Sequence, residues 1–374
     1  MRILHVYSGN LFGGIEAILV AIARAHAPRG GTVPEFALCF EGRLSAALRT
    51  AGARVHMLPS VRMSRPHTAR AARQALARVI AAGSFDRMVC HAPWSQAIFG
   101  GLARRAGVPL VFWAHDAAAG RHWTERLARR SAPDLVVANS RFTLRTIDRL
   151  FPGVPGTVVY APIDVPSHGI DPRERFERRA GLDTPDDAVV IVQASRSQAW
   201  KGHLLLVEAL AELRDVPRWI WWQVGGAQRP AEEDVLRQVR AAAARAGIAD
   251  RVRWLGQRDD VPAVLASADV YCQANLRAEP FGVVFVEALA AGLPVVTTNA
   301  GGACEIVTDA CGVLVEADAH AFAAALRRVI SDSDERARMA RAGPPRARAL
   351  CDPRQQVERL NAALAQMAET GAHA

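Results

Sequence analysis

The chain has 374 residues and a mass of 40.3 kDa, with half of the residues hydrophobic, 22% charged and a formal net charge of +9. This length and composition suit two globular domains and exclude a disordered chain, a collagen-like repeat and a disulfide-stapled mini-domain. The longest apolar region, around Val283 to Val296, carries Glu287 and Gly292, and no stretch reaches the roughly 20 uninterrupted apolar residues of a membrane-spanning helix.

The first segment, Met1 to Gly9, is too short and too polar for a signal peptide and reads as a buried first strand, which points to the cytoplasm. Short apolar runs then predict strands at Ile3–Tyr7, Glu35–Phe40, Arg54–Leu58, Arg87–Cys90, Leu110–Trp113, Leu135–Ala138 and Thr157–Tyr160. Apolar residues at three-to-four spacing predict helices over Ile15–Ala27, Thr68–Ala82 and Ser140–Leu150. Residues 161–187 break the alternation with Pro162, Pro166, Pro172 and Pro185, and 166–187 reads as a linker. Strand and helix then alternate again through Val189–Gln193, His203–Leu213, Trp219–Val224, Ala231–Ala246, Val252–Leu255, Asp269–Cys272, Val283–Ala291, Val295–Thr298 and Gly312–Val315. From Ala319 the pattern is helical, with an expected interruption at Pro344-Pro345 and a restart after Asp352-Pro353. The expectation is an α/β protein with two doubly wound, Rossmann-like domains, 1–165 and 188–352, and a helix over 353–374 that packs back on the first.

Charge is unevenly spread. Residues 1–165 hold 21 Arg and Lys against 9 Asp and Glu, or +12; residues 166–374 hold 25 against 28, or −3. A basic first half suits an anionic partner, whether nucleic acid, a phosphorylated lipid or an anionic membrane surface; a GC-rich genome that raises arginine throughout explains it equally well. The six cysteines are scattered, with no Cys-x-x-Cys pair and no His at metal spacing, so they read as buried thiols and no metal site is expected.

Chemistry in an open parallel sheet collects at the carboxyl ends of its strands. After the first strand come Gly13-Gly14-Ile15-Glu16, a turn into a helix that lets backbone approach an anion or is a plain tight turn. Leu110–Trp113 leads to His115, a proton carrier or hydroxyl ligand at a strand end, or else a histidine satisfied inside the fold. Val189–Gln193 leads to Arg196 and Lys201, two cations that suit a diphosphate or a solvated loop. Trp219–Val224 ends in Gly225-Gly226, and its tryptophans read better as core than as a base-stacking cluster. The most specific feature is Glu279-Pro280-Phe281-Gly282-Val283, followed by Glu287. It sets one carboxylate in a loop, free amides at Gly282 and Val283 where a helix opens, and a second carboxylate inside an apolar helix, where burial without a partner is costly.

The Glu-x7-Glu element Glu279/Glu287 resembles that of retaining glycosyltransferases of the GT-B fold, family 4 (glycosyl transferases group 1). The same family order runs through Gly13-Gly14-Ile15-Glu16, His115-Asp116, Asn139-Ser140, Arg196 with Lys201-Gly202, Gly225-Gly226, Trp254-Leu255-Gly256 and Gly301-Gly302-x-x-Glu305-Ile306-Val307. The resemblance covers nearly the whole chain and is weakest over 28–105 and after 330. It implies a metal-independent hexosyltransferase that uses an NDP-sugar, UDP or GDP, as substrate and no cofactor. Arg196 and Lys201 would neutralise the diphosphate, Glu287 would bind the ribose, Glu279 and His115 the donor sugar, and Gly13, Gly14, Gly225, Gly282 and Val283 would lie against the nucleotide-sugar. Gln198-Ala199-Trp200 departs from the family's usual acidic or proline residues before the lysine, without changing the charge. The first domain would choose the acceptor, a lipid-linked saccharide or glycan in surface polysaccharide synthesis. Arg62, Arg65, Arg70, Arg73, Arg104 and Arg105 could hold it peripherally on the inner face of the membrane. The competing readings are another GT-B enzyme such as a nucleotide-sugar epimerase or a phosphorylase, and a non-catalytic nucleotide-sugar-binding regulator. Nucleic acid is not the expected partner, since no aromatic and basic residues interleave.

Overall fold

The computed structural model describes residues 1–9, 13–25, 31–62, 64–163 and 169–370. It divides into two compact units, one of 1–164 with 351–374 and one of 165–350.

The first unit follows the order β1 (Arg2–Tyr7), α1 (Gly14–Ala25), β2 (Val33–Leu38), α2 (Arg43–Thr50), β3 (Arg54–Met57), α3 (Pro66–Gly83), β4 (Arg87–His91), α4 (Ala92–Arg105), β5 (Leu110–Ala114), α5 (Trp123–Ala128), β6 (Leu135–Ala138), α6 (Arg141–Thr146) and β7 (Gly156–Val158). Its seven strands form one parallel sheet in the order β3-β2-β1-β4-β5-β6-β7. Apolar side chains fill both faces, which is why these strands read as continuous apolar runs. Leu4, Val6, Met88 and Cys90 pack with Leu76 and Phe99, and Phe112 and Val136 with Phe151. The last two residues of the expected helix Ile15–Ala27 lie outside the described residues.

The second unit holds α7 (Pro172–Gly181), β8 (Val189–Ala194), α8 (His203–Ala211), β9 (Trp219–Val224), α9 (Pro230–Arg245), β10 (Val252–Gly256), α10 (Val261–Ala266), β11 (Val270–Gln273), α11 (Val283–Ala290), β12 (Val295–Thr298), α12 (Ala303–Ile306), β13 (Gly312–Val315), α13 (Ala319–Ser331) and α14 (Ser333–Cys351). Its sheet order is β10-β9-β8-β11-β12-β13, again parallel. Both sheets therefore reverse direction beside their first strand, between β1 and β4 and between β8 and β11. Such a reversal opens a crevice at the strand carboxyl ends. Trp219, Trp221 and Trp222 are all buried in β9, so core packing and not base stacking is their role.

Two expectations need correction. Residues 166–187, read as a linker, contain α7, with 166–168 outside the described residues. Pro172 starts that helix: Asp171 caps it by accepting from the Arg173 and Glu174 amides, and proline suits the first helical position. Buried Arg179 then ties α7 to the sheet through Asp269 Oδ2 at 2.6 Å and the Ser267 and Ala188 carbonyls. The expected break at Pro344-Pro345 is also absent, because α14 runs straight through both prolines. Interior proline costs about 3 kcal/mol, and docking offsets it: Met339 and Ala347 are buried, and Arg346 donates to the Glu305 and Ile306 carbonyls.

The last helix, α15 (Pro353–Thr370), packs on the first unit. Gln356 Oε1 accepts the Tyr160 amide, Arg87 Nε donates to the Leu364 carbonyl, and Leu360 and Leu364 are buried.

Candidate functional site

Beyond β8 the chain makes a 3-10 turn over Ala199–Lys201, which delivers Lys201 to the carboxyl end of the second sheet. Its Nζ lies 2.6 Å from Glu279 Oε2 and 4.0 Å from the centroid of the Trp200 ring. The same carboxylate oxygen accepts from Asn275 Nδ2 at 3.0 Å and Gln273 Nε2 at 3.4 Å, and the Tyr271 hydroxyl donates to Gln273 Oε1. Tyr271, Gln273 and Asn275 alternate along β11 and just past it, so they form one polar stripe in an otherwise apolar strand. The Gly302 amide donates to the Glu279 carbonyl and fixes the loop from behind. Glu279 Oε1 has no hydrogen-bond partner among the described residues, so this carboxylate keeps one oxygen for another hydroxyl.

Three residues on, Gly282 caps α11 without any side-chain cap, and the amides of Val283 and Val284 have no acceptor among the described residues. A helix start of this kind carries partial positive charge and attracts anions. Glu287 follows one turn later. Its carboxylate makes no hydrogen bond or ion pair among the described residues, and burial raises its pKa above the ordinary carboxylate range. No arginine among the described residues neutralises it. A half-buried carboxylate without a partner is destabilising by itself, and it suits a ligand that brings hydroxyl donors.

The other expected residues sort unevenly. Arg196 is half-exposed, with Nη1 3.6 Å from Oε1 of buried Glu232. Gly225 sits at the end of β9, and its amide is spent on the Gly256 carbonyl at 2.7 Å, so it offers no free donor. Gly13 and Gly14 belong to the first unit. Buried Glu16 takes the Gly13 amide on Oε2 and the Tyr7 hydroxyl on Oε1, so a carboxylate of the chain itself already occupies the α1 start. His115, also in the first unit, is 5% exposed and its Nε2 meets His91 Nδ1 at 2.9 Å. It is thus a packed histidine, yet its Nδ1 has no hydrogen-bond partner among the described residues.

Sequence reasoning left out Trp200, Gln273, Asn275, Glu232, His5 and His91. The stripe Tyr271-x-Gln273-x-Asn275 was the available signal, since polar residues two apart in a buried strand share a face. Trp200, read from the sequence only as part of a departure that leaves the charge unchanged, supports the Lys201 ammonium with its ring face.

The chain is similar to known proteins over both units. The family profile described as Glycosyltransferase Family 4 matches residues 12–167, and that described as Glycosyl transferases group 1 matches 174–346. The lipopolysaccharide core biosynthesis glycosyltransferase LpsE of Rhizobium meliloti is 36% identical over 44% of this chain, which spans only 46% of that relative. A D-inositol 3-phosphate glycosyltransferase of Salinispora tropica is 32% identical over 72% of this chain, which spans 62% of it. Among solved structures, Anabaena Alr3699/HepE in complex with UDP and glucose superposes with a TM-score of 0.85 at 26% identity, covering 98% of this chain and 99% of that one. The GDP-mannose-dependent alpha-(1-6)-phosphatidylinositol monomannoside mannosyltransferase of Mycolicibacterium smegmatis is 32% identical over 66% of this chain and 68% of its own length. With two profiles tiling the chain and this relative matched over more than two thirds of its length, the protein belongs to the group 1, family 4 glycosyltransferases of the GT-B fold.

Proposed function

We propose that this chain transfers a hexose from a nucleoside diphosphate sugar, UDP or GDP, to a hydroxyl acceptor with retention of configuration and without a divalent metal. The observation that carries the reading is the Lys201–Glu279 pair beside the α11 amides, with the unpaired Glu287 one turn along. Breaking a glycosyl–phosphate bond builds negative charge on the departing diphosphate and positive charge on the sugar. Lys201, the Val283 and Val284 amides and, once turned from Glu232, Arg196 would stabilise the diphosphate; preorganised donors of this kind are usually the largest catalytic contribution. Glu279 Oε1 would accept from hydroxyls of the donor sugar, and Glu287 from the ribose. With the leaving phosphate taking the acceptor's proton, attack from the same face accounts for retention with no carboxylate nucleophile. The UDP and glucose held by the Anabaena protein support the donor class.

The acceptor we propose is a lipid-linked saccharide or glycan of surface polysaccharide synthesis, in line with the lipopolysaccharide core and phosphatidylinositol mannoside names of two relatives. Arg62, Arg65, Arg70 and Arg105 are exposed on the first unit and would meet an anionic membrane surface, whereas Arg73 and Arg104 are partly committed to the Ile98 and Ala132 carbonyls.

Thermal shift with a panel of nucleotides tests the donor side. A nucleoside diphosphate at 100 times its Kd should add about 2.7 kcal/mol of stability. Glu287→Gln should weaken that nucleotide about 10- to 100-fold, the cost of losing hydrogen bonds to a charged group. The same variant has a stability signature without ligand. Folding raises the Glu287 pKa, so from the ordinary carboxylate range upward the native state binds more protons than the unfolded chain. Stability therefore falls as pH rises through that window. Glu287→Gln should be at least as stable as the natural chain at pH 8, with the advantage fading toward pH 4. Unchanged nucleotide affinity in Glu287→Gln would remove Glu287 from the site.

A further inference from the structure

The first unit contains a line of three buried histidines that the transfer chemistry leaves unexplained. His5 lies in the middle of β1, His91 at the end of β4 and His115 just past β5, and β1-β4-β5 are neighbours in the sheet. His5 pairs in register with Val89, two residues before His91, and His91 pairs with Trp113, two residues before His115. Each step of two keeps the side chain on the same face, so the rings form a diagonal across the point where the strand order reverses. His5 Nδ1 is 2.9 Å from His91 Nε2, and His91 Nδ1 is 2.9 Å from His115 Nε2. Phe36 stacks on His5, and Trp113 stacks against both His91 and His115. Ala92, directly after the central ring, holds φ at 65°, a conformation that residues with a Cβ keep only when their surroundings impose it.

Burial lowers the pKa of His5 and His115 to about 3 and that of His91 well below the usual value, so all three rings are neutral at physiological pH and each carries one proton. Each of the two contacts needs one N–H and one bare nitrogen. A proton on His5 Nδ1 forces His91 to accept on Nε2 and carry its proton on Nδ1, which forces the same on His115. A proton on His115 Nε2 forces the opposite arrangement back to His5. The chain therefore has two uniform states and no mixed one. Its two ends, His5 Nε2 and His115 Nδ1, have no hydrogen-bond partner among the described residues. His115 also lines a cavity of about 230 Å³ with Asp116, His122, Thr124 and Glu125.

We propose that His5, His91 and His115 form a tautomer relay in which His5 and His91 are positioning residues that decide whether His115 Nδ1 is a donor or an acceptor. Changing that state takes a proton onto the outer nitrogen of one end ring, one proton across each link in the same direction and a proton off the outer nitrogen of the other end ring, so a group that donates or accepts a proton at either end is felt at the other. The relay rests on these three histidines alone and not on the transferase reading.

The test is nitrogen NMR of the full chain labelled with [15N]histidine and free of substrate, with resonances assigned through single histidine variants. Because it needs no turnover, failure here is distinct from failure of the transferase reading. The expected result is that His5, His91 and His115 each show one tautomer, with the proton on the same-named nitrogen in all three. His91→Phe keeps the ring stack and removes both nitrogens, and there His115 should populate both tautomers. Opposite tautomers in adjacent rings of the natural chain, or an unchanged single tautomer of His115 in His91→Phe, would overturn the relay. Should His91→Phe not fold, His5→Phe serves: His91 and His115 should still agree with one another, and disagreement overturns the proposal.

Discussion

Lys201→Ala is expected to lower kcat for sugar transfer about 100- to 1,000-fold, with kcat/KM falling in parallel. The ammonium is held from below by Trp200 and from one side by Glu279, at 4.0 Å and 2.6 Å, which fixes it before any substrate arrives. Charge that is already positioned costs no reorganisation when the diphosphate becomes a leaving group. An interaction made mainly in the transition state lowers kcat and kcat/KM together, whereas loss of uniform binding would raise KM alone. The substitution also leaves the Glu279 carboxylate with only Asn275 and Gln273 as donors, which would cost about 1–3 kcal/mol of stability. Steady-state kinetics at a temperature well below the melting transition separates the two effects. A kcat within fivefold of the natural chain would show that Lys201 does not carry the leaving group's charge.

Gly202→Ala should be the most disruptive small substitution near the site, with a loss of about 3 kcal/mol or more. Gly202 holds φ at 68°, and a Cβ there would lie 1.6 Å from the Ala274 carbonyl oxygen. The left-handed conformation costs a residue with a Cβ roughly 1–2 kcal/mol, and forced overpacking adds typically 1–3 kcal/mol. The obstacle is backbone, so it cannot swing aside, and Ala274 stands between Gln273 and Asn275, the two residues that hold Glu279. Melting should drop on the order of 10 °C, given about 2–4 °C per kcal/mol for a unit of this size. Gly247→Ala is the control: φ is 67° there, but nothing lies within 4 Å of the added Cβ, so only the conformational cost applies. Equal melting temperatures for the two variants would mean that the close approach of Gly202 to Ala274 has no energetic weight.

The strands were legible because parallel sheets covered on both faces demand near-continuous apolar runs, and Leu110–Ala114, Leu135–Ala138 and the first four residues of β9, Trp219 to Trp222, are such runs. Helices with a weaker stripe were not. α4 carries Pro93 and Gly100-Gly101 inside its span, residues that blur helical spacing, and α7 begins with the proline that looked like a breaker. α14 survives two prolines through contacts with α12 that lie 40 residues away in sequence. The Glu279/Glu287 pair was legible because its spacing is local. The groups that orient it are not local: Lys201 reaches Glu279 across 78 residues, and only the adjacency of β8 and β11 explains the meeting. The same holds for His5, His91 and His115, whose alignment depends on β4 inserting beside β1.

The most direct measurement is a crystal structure of the protein soaked with a nucleoside diphosphate sugar. The diphosphate should lie within hydrogen-bond distance of Lys201 Nζ and the Val283 and Val284 amides, with the ribose hydroxyls on Glu287 and the hexose hydroxyls on Glu279. A nucleotide bound with Glu287 unengaged, or with its phosphates away from Lys201 and the start of α11, would contradict the proposed chemistry.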